Sequence, residues 1–272
     1  MMDEKNHFKV SKLKDYLFVI KENISLIHPA YTNDPLNMYL LLGEDSAMLL
    51  DTGCGLSPLK PIIDNLIADR ELVVLNSHTH WDHILGNEEF GEVYVHEEEA
   101  QIIKKAYDIS YFQDSPNKNN IQIYANQNFL IPPSKIIKTI KDQDEFDLGE
   151  LKVKIIHCPG HSPGSVCLLT SNNELFTSDV AYYGDIFLPK QQYFPIVLET
   201  LDKLINLCKS ENITELYPSH RKSPCDIRLL IDLHDAIKNI ESSWESKKSF
   251  DFFNAWEIGE KTDKFRLFVS KY

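Results

Sequence analysis

Three imidazoles and a carboxylate fall within six consecutive positions, His78-Thr79-His80-Trp81-Asp82-His83. Alternate residues of an extended segment project to one side, so His78 and His80 can present ring nitrogens to one metal ion. Asp82 and His83 lie at the turn beyond and can reach a second. A solvated loop with coincidental histidines seldom gathers so many ligand types at this spacing. Three more candidates stand at the ends of apolar runs: His161 in Cys158-Pro159-Gly160-His161-Ser162-Pro163-Gly164-Ser165, Asp179 after Leu175-Phe176-Thr177-Ser178, and His220 after Leu216-Tyr217-Pro218-Ser219. Each alone reads as a turn or cap residue. Together they are what a fold needs to converge ligands in a crevice at one edge of its sheets.

The donor set is five histidines and two carboxylates with no thiolate, a site of borderline softness that suits zinc and tolerates iron or manganese. Two divalent ions about 3.5–4 Å apart lower the pKa of a shared water towards about 7. The expected nucleophile is therefore a metal-bridging hydroxide attacking a carbonyl carbon. One ion holds the developing oxyanion, and the other ion or a protonated Asp82 assists the leaving group.

The elements that must position these residues read as strands at Leu17–Ile20, Met38–Leu42, Ala47–Leu50, Val73–Leu75 and Val93–Val95, then at Leu151–Ile156, Ser165–Leu169, Glu174–Thr177 and Glu215–Tyr217. Helical patterns cover Ser57–Ile67, with Ser57 as cap and Pro58 in the first turn, and Glu97–Tyr107, Ile196–Cys208 and Ile227–Trp244. Residues 108–147, rich in Asn and broken at Ile131-Pro132-Pro133, read as an insert. Its Tyr111, Phe112, Tyr124 and Phe129 are expected to form a small satellite core. The whole reads as one layered α/β domain over residues 1–272, closed by a C-terminal helix and hairpin within 226–272.

With 28 Lys+Arg against 41 Asp+Glu, the net charge of -13 works against a polyanionic partner. No nucleic acid is expected, and a small-molecule substrate is. The opening residues, with Asp3, Glu4, Lys5 and Asn6, read as carrying no export signal. No apolar run approaches the roughly 20 residues of a membrane span. The cysteines Cys54, Cys158, Cys167, Cys208 and Cys225 form no Cys-x-x-Cys pair, which favours reduced thiols and a cytoplasmic setting. Cys54 and Cys158 read as small buried thiols. His7, His28, His96, His157 and His234 read as surface or satisfied core residues, with His28 as a candidate rim position.

The pattern His78-x-His80-x-Asp82-His83, followed by His161, Asp179 and His220 and preceded by Asp51-Thr52-Gly53, closely resembles the metallo-β-lactamase superfamily from about Met38 to His220. The resemblance implies an αββα sandwich with a binuclear site at one edge. It puts His78, His80 and His161 on one ion, Asp82, His83 and His220 on the other, and Asp179 between them. Asp51 would orient a ligand histidine.

Departures narrow the reaction. The common zinc β-lactamases have Arg at the position of His83 and use a Cys ligand, and the di-iron flavoproteins place Glu at a loop histidine and append a flavin domain. The chain is similar instead to the branch of glyoxalase II, acyl thioesterases and lactonases, which attack carboxylic thioesters or esters. A phosphodiesterase or nuclease on the same site, or a non-catalytic metal-binding regulator, are the alternatives. Arg221, Lys222 and Arg228 could hold an anionic group such as a coenzyme A phosphate, although a solvated basic edge is the better reading. Tyr182, Tyr183 and Tyr193 could hydrogen-bond a substrate carbonyl, and Tyr111 and Phe112 could wall an apolar acyl pocket. The oligomeric state is not legible.

Overall fold

The computed structural model describes residues 7–259 and 261–271. The N-terminal reading built on Asp3, Glu4, Lys5 and Asn6 lies outside them. The chain forms two compact units, Met1–Ile155 and Ile156–Tyr272.

The first unit is built on strands β1 (Lys9–Lys14), β2 (Leu17–Glu22), β3 (Leu36–Leu42), β4 (Ser46–Leu50), β5 (Glu71–Leu75) and β6 (Glu92–His96). Beyond them come β7 (Tyr107–Asp108), β8 (Leu130–Ile131), β9 (Ile136–Ile140), β10 (Glu145–Asp147) and β11 (Lys152–His157), whose last two residues belong to the second unit. The main sheet runs β1-β2-β3-β4-β5-β6-β9. Its first four strands are antiparallel neighbours, and β4, β5, β6 and β9 pair in parallel. A parallel pair needs a crossover, and helix α1 (Lys60–Ile67) supplies it between β4 and β5. The central strands are buried on both faces, so β3 and β4 read as near-continuous apolar runs.

Three expectations change here. Helix α1 starts at Lys60, with Pro61 in its first turn. Ser57 does not cap it: the Leu59 and Lys60 amides donate to the Glu89 carboxylate at 3.0 and 2.9 Å. The helix expected over Glu97–Tyr107 shrinks to α3 (Ala100–Ile103). The Ser134 amide takes the Ile103 carbonyl, and Tyr107 pairs with Ile131 in the β7–β8 hairpin, so tertiary pairing overrides the helical pattern. The segment 108–147 is no single excursion, because β9 extends the main sheet and β10 pairs with β11. What lies between β7 and β8 holds helix α4 (Gln122–Asn126), and its Phe112, Ile121 and Tyr124 join the main core of this unit instead of a satellite.

The second unit holds β12 (Val166–Thr170), β13 (Glu174–Ser178), β14 (Gly184–Leu188), β15 (Glu215–Pro218), β16 (Lys248–Phe250), β17 (Ala255–Ile258) and β18 (Phe265–Ser270). β12 and β13 are antiparallel, β13 and β15 parallel, and a four-stranded sheet runs β14-β18-β17-β16. The expected C-terminal hairpin is β17–β18. The sheet it joins was not legible, because β14 opens on Gly184 and Asp185 and shows neither alternation nor a continuous apolar run. Helix α5 (Phe194–Ser210) buries Val197, Leu201, Leu204, Ile205 and Cys208 at helical spacing. Helix α6 (Arg228–Lys238) stops earlier than its pattern, and the chain tightens into a 3-10 turn over Ile240–Ser246.

Candidate metal centre

The first unit delivers four of the expected ligands from one stretch. β5 ends at Leu75; Asn76 to His80 follow as a loop, and helix α2 (Trp81–Ile84) carries Asp82 and His83. His80 precedes α2 in extended conformation, φ -71 and ψ 152. As the alternation predicts, His78 and His80 come together, with Nε2 of one 3.0 Å from Nδ1 of the other. The His83 ring centroid lies 4.1 Å from that of His78, and His83 Nε2 lies 3.7 Å from Asp82 Oδ2. His78, Asp82 and His83 are buried and His80 is exposed.

Asp51, at the end of β4, is the hub beneath them. Fully buried, its carboxylate accepts the Ser77 amide at 2.7 Å and the Ser77 hydroxyl at 2.8 Å, and pairs with His83 Nδ1 at 2.8 Å. That contact puts the proton on His83 Nδ1 and leaves Nε2 as the electron-pair donor, which is how an outer carboxylate prepares a ligand histidine. Reaching it requires a left-handed residue, since Asp51 has φ 67. That conformation costs a non-glycine residue about 1–2 kcal/mol, and the three hydrogen bonds offset it.

Several supports were assigned no role in the sequence, Thr52 standing there only as part of the Asp51-Thr52-Gly53 turn. Thr52 and Asn76 both donate to the His83 carbonyl, at 3.1 and 3.3 Å, and Asn87 ties the two together by accepting from Thr52 at 2.8 Å and donating to Asn76 at 2.9 Å. Thr79, between the two loop histidines, donates to the buried Glu99 carboxylate at 2.8 Å. A buried Asn or Glu reveals itself only by its surroundings, so none of these could be singled out from one sequence.

The second unit delivers the other three from strand ends. His161 sits in the turn after β11, where Gly160 takes φ 142, a region other residues avoid. Its Nδ1 meets the Phe187 carbonyl of β14 at 3.3 Å, which again points Nε2 inward. Asp179 follows β13 and His220 follows β15. The Ser219 amide donates to the Ser178 carbonyl at 3.2 Å, and the two serine hydroxyls meet at 3.1 Å, fixing these strand ends together. Asp179 Oδ2 lies 3.6 Å from His161 Nε2, and its Oδ1 lies 3.3 Å from His220 Nε2. One buried carboxylate thus turns each oxygen to a different imidazole.

These side chains fit divalent cations. The donors are imidazole nitrogens and carboxylate oxygens, and the outer contacts of His83 and His161 select the ligand tautomer. Cys54 and Cys158 are buried thiols, as expected. Burial, then the Asp82 charge, pushes the Tyr31 phenol up, and burial with Asp82 and Glu99 pushes Tyr107 up to about 12. Both phenols are therefore donors at neutral pH.

The candidate substrate residues divide. Tyr111 is 54% exposed, but Phe112 is 1% exposed and packs in the core against Trp81, so it supports a wall instead of forming one. Tyr182 is buried with its hydroxyl on the Asp185 carbonyl and its ring 5.0 Å from that of His220; Tyr183 donates to Asp232; Tyr193 is exposed ahead of α5. Arg221 approaches Asp185 at 4.0 Å, and Arg228 opens α6. Among the remaining histidines, His7 pairs with Glu22, His28 accepts the Ala30 amide, and His157 meets the Pro163 carbonyl. Partial burial lowers the His28 pKa.

Seven candidate ligands, five histidines and two carboxylates, stand in this order on a layered α/β scaffold, and comparison gives the fold a family. The sequence model of the metallo-beta-lactamase superfamily matches residues 31–220, and the chain belongs to that superfamily. It is similar to the acyl-coenzyme A thioesterase MBLAC2 of Homo sapiens, 28% identical over 202 residues, covering 68% of this chain and 72% of that protein. A probable hydroxyacylglutathione hydrolase of Schizosaccharomyces pombe is 24% identical over 200 residues, covering 67% and 66%. Among solved structures, a metallo-beta-lactamase family protein of Thermus thermophilus superposes with a TM-score of 0.62 at 15% identity, covering 89% of this chain and 88% of that one. The fold class read from the sequence stands.

Proposed function

We propose that this protein is a binuclear metal-dependent hydrolase of carboxylic thioesters or esters, with acyl thioesters the first substrates to try. The observation that carries the reading is Asp179, whose two oxygens face the Nε2 atoms of His161 and His220 separately. Support also comes from the family match, which runs from 31 to 220 and so spans all seven candidate ligands, and from the likeness to a thioesterase. We read the two units accordingly as one domain.

In this reading His78, His80 and His161 hold one ion, His83, Asp82 and His220 the other, and Asp179 serves both. Such ions, zinc by the donor set, with iron or manganese compatible, supply Lewis acidity and a nucleophilic water at neutral pH. The protein does the rest. Asp51 keeps the His83 proton on Nδ1, and the Phe187 carbonyl does the same for His161. Asp82 takes a proton from the attacking water and returns it to the leaving sulfur or oxygen. The Tyr31 and Tyr107 phenols remain protonated beside Asp82 and can donate to a substrate carbonyl. Exposed Tyr111 offers an apolar contact for an acyl chain. Tyr182 backs His220, and Tyr183 and Tyr193 stand beyond it as lesser substrate candidates.

Among the described residues no helix is long and apolar enough to cross a membrane, and the five cysteines are free. The thiols support a reducing compartment, the cytoplasm. The test is turnover of an acyl thioester, a lactone, a β-lactam and a phosphodiester by one metal-analysed preparation. The thioester should turn over fastest; preference for the phosphodiester overturns the reading.

A further inference from the structure

The turn that carries Asp51 is gripped at its far end by two side chains distant in sequence, and both act on the backbone of one residue. The Cys54 amide donates to Glu22 Oε2 at 2.8 Å, and the Cys54 carbonyl accepts the Tyr124 hydroxyl. Glu22 is 1% exposed at the end of β2, and its other oxygen meets His7 Nε2 at 2.7 Å. Tyr124, in α4, is 1% exposed. The carboxylate lies across the turn where only glycine leaves room, since a Cβ on Gly53 would stand 2.5 Å from Glu22 Oε2.

The turn needs such a grip. Asp51, Gly53 and Gly55 all take left-handed φ, at 67, 74 and 65°. Glycine takes such torsions freely, so the strain falls on Asp51, and a non-glycine residue keeps a left-handed conformation only where its surroundings over-determine it. At its near end, Asp51 must keep one carboxylate on both Ser77 and His83. The Cys54 backbone, three residues on, sets where the chain is allowed to go after Asp51.

We propose that Glu22 and Tyr124 are positioning residues for the His83 ligand, acting through the 51–54 turn and Asp51. Their loss lets the turn relax, so that Asp51 no longer selects one tautomer of His83 and the ion held by His83 weakens. The effect on metal affinity rests on the proposed binuclear site; the effect on the tautomer does not.

The test uses Tyr124→Phe, which keeps the ring, and Glu22→Met, which keeps the volume without an acceptor. Glu22→Gln is the conservative rescue, retaining an oxygen for the Cys54 amide. Each is made alone and combined with Asp51→Asn. In metal-free protein with 15N-labelled histidine, long-range correlation NMR reads whether the His83 proton resides on Nδ1. Competition with a chromogenic chelator gives zinc affinities.

The wild type and E22Q should show one Nδ1–H tautomer, and Y124F and E22M a mixture. The weaker zinc ion should be lost about ten-fold more readily in the latter two, as outer-contact changes generally do, and neither should weaken it further in the D51N background. Effects that simply add to D51N, or a wild-type tautomer in both variants, overturn the proposal. Should E22M fail to fold, Y124F decides alone. A wild type that binds one ion counts against the binuclear reading, while the metal-free tautomer still judges Glu22 and Tyr124.

Discussion

Replacing Asp51 by Asn exchanges one oxygen for an amide and leaves the shape almost unchanged, which makes it the sharpest perturbation of the centre. The remaining oxygen can still accept the Ser77 amide, now at 2.7 Å, but the new NH2 group faces His83 Nδ1 and the Ser77 hydroxyl, both at 2.8 Å. Two donors cannot share a hydrogen bond, so His83 must move its proton to Nε2. That is the atom needed for a metal. Three charge-assisted hydrogen bonds become neutral ones, a loss of about 1 kcal/mol each, and allowing for some rearrangement the fold should lose about 2–3 kcal/mol. For a chain of this size that lowers the Tm of metal-free protein by about 4–10 °C. Restoring the ligand tautomer adds its own cost, and zinc affinity should fall by about 10–100-fold, or about 1.4–2.8 kcal/mol. Thermal melts of the metal-free protein and zinc titration against a competing chelator measure the two effects separately. A D51N protein with wild-type melting and wild-type affinity would refute the role given to Asp51.

Other outcomes follow from the same geometry. Replacing His220 by Ala should leave one ion bound and cut turnover by at least ten-fold, read by elemental analysis and initial rates; an unchanged rate removes His220 from the centre. Tyr111→Ala should flatten the rise of thioester turnover with acyl length, at up to about 0.8 kcal/mol per methylene, without loss of stability. Phe112→Ala should instead destabilise by about 3–5 kcal/mol, because its ring is core; denaturant melts tell the two apart. Hydrogen bonding to Arg266, at 2.7 and 3.0 Å, holds the Glu257 pKa below its ordinary 4.5 against the opposing effect of burial. A depressed carboxylate stabilises above its unfolded pKa and ceases to as pH falls through the folded one. The stability gap between wild type and E257Q should be constant from pH 7 to 6 and close below about 4.5.

The candidate ligands stand out because metal chemistry demands particular residue types at strand ends, and the spacing of His78, His80, Asp82 and His83 survives in any extended loop entering a helix. The core strands β3 and β4 were legible because burial on both faces leaves continuous apolar runs. Polar residues whose meaning comes from distant partners were not. Nothing in the sequence separates Asn87 from a loop asparagine, or Glu22 from a strand-end surface charge, until the fold closes around them. The reading of Glu97–Tyr107 failed where local propensity met a stronger competitor, since Tyr107 gains a strand partner in Ile131 and the helix loses its last turns. Aromatic type alone does not say which way a ring faces, and so Phe112 reads in the sequence as satellite core or pocket wall and in the fold joins the main core of its unit.

The central claim is that one chain holds two metal ions with Asp179 between them. Diffraction from crystals of the zinc-loaded, desalted protein, recorded on both sides of the zinc absorption edge, tests it directly. Two anomalous peaks per chain are expected, each within coordination distance of a different Asp179 oxygen, with His78, His80 and His161 around one and Asp82, His83 and His220 around the other. A single peak, or two peaks neither of which touches Asp179, would contradict it.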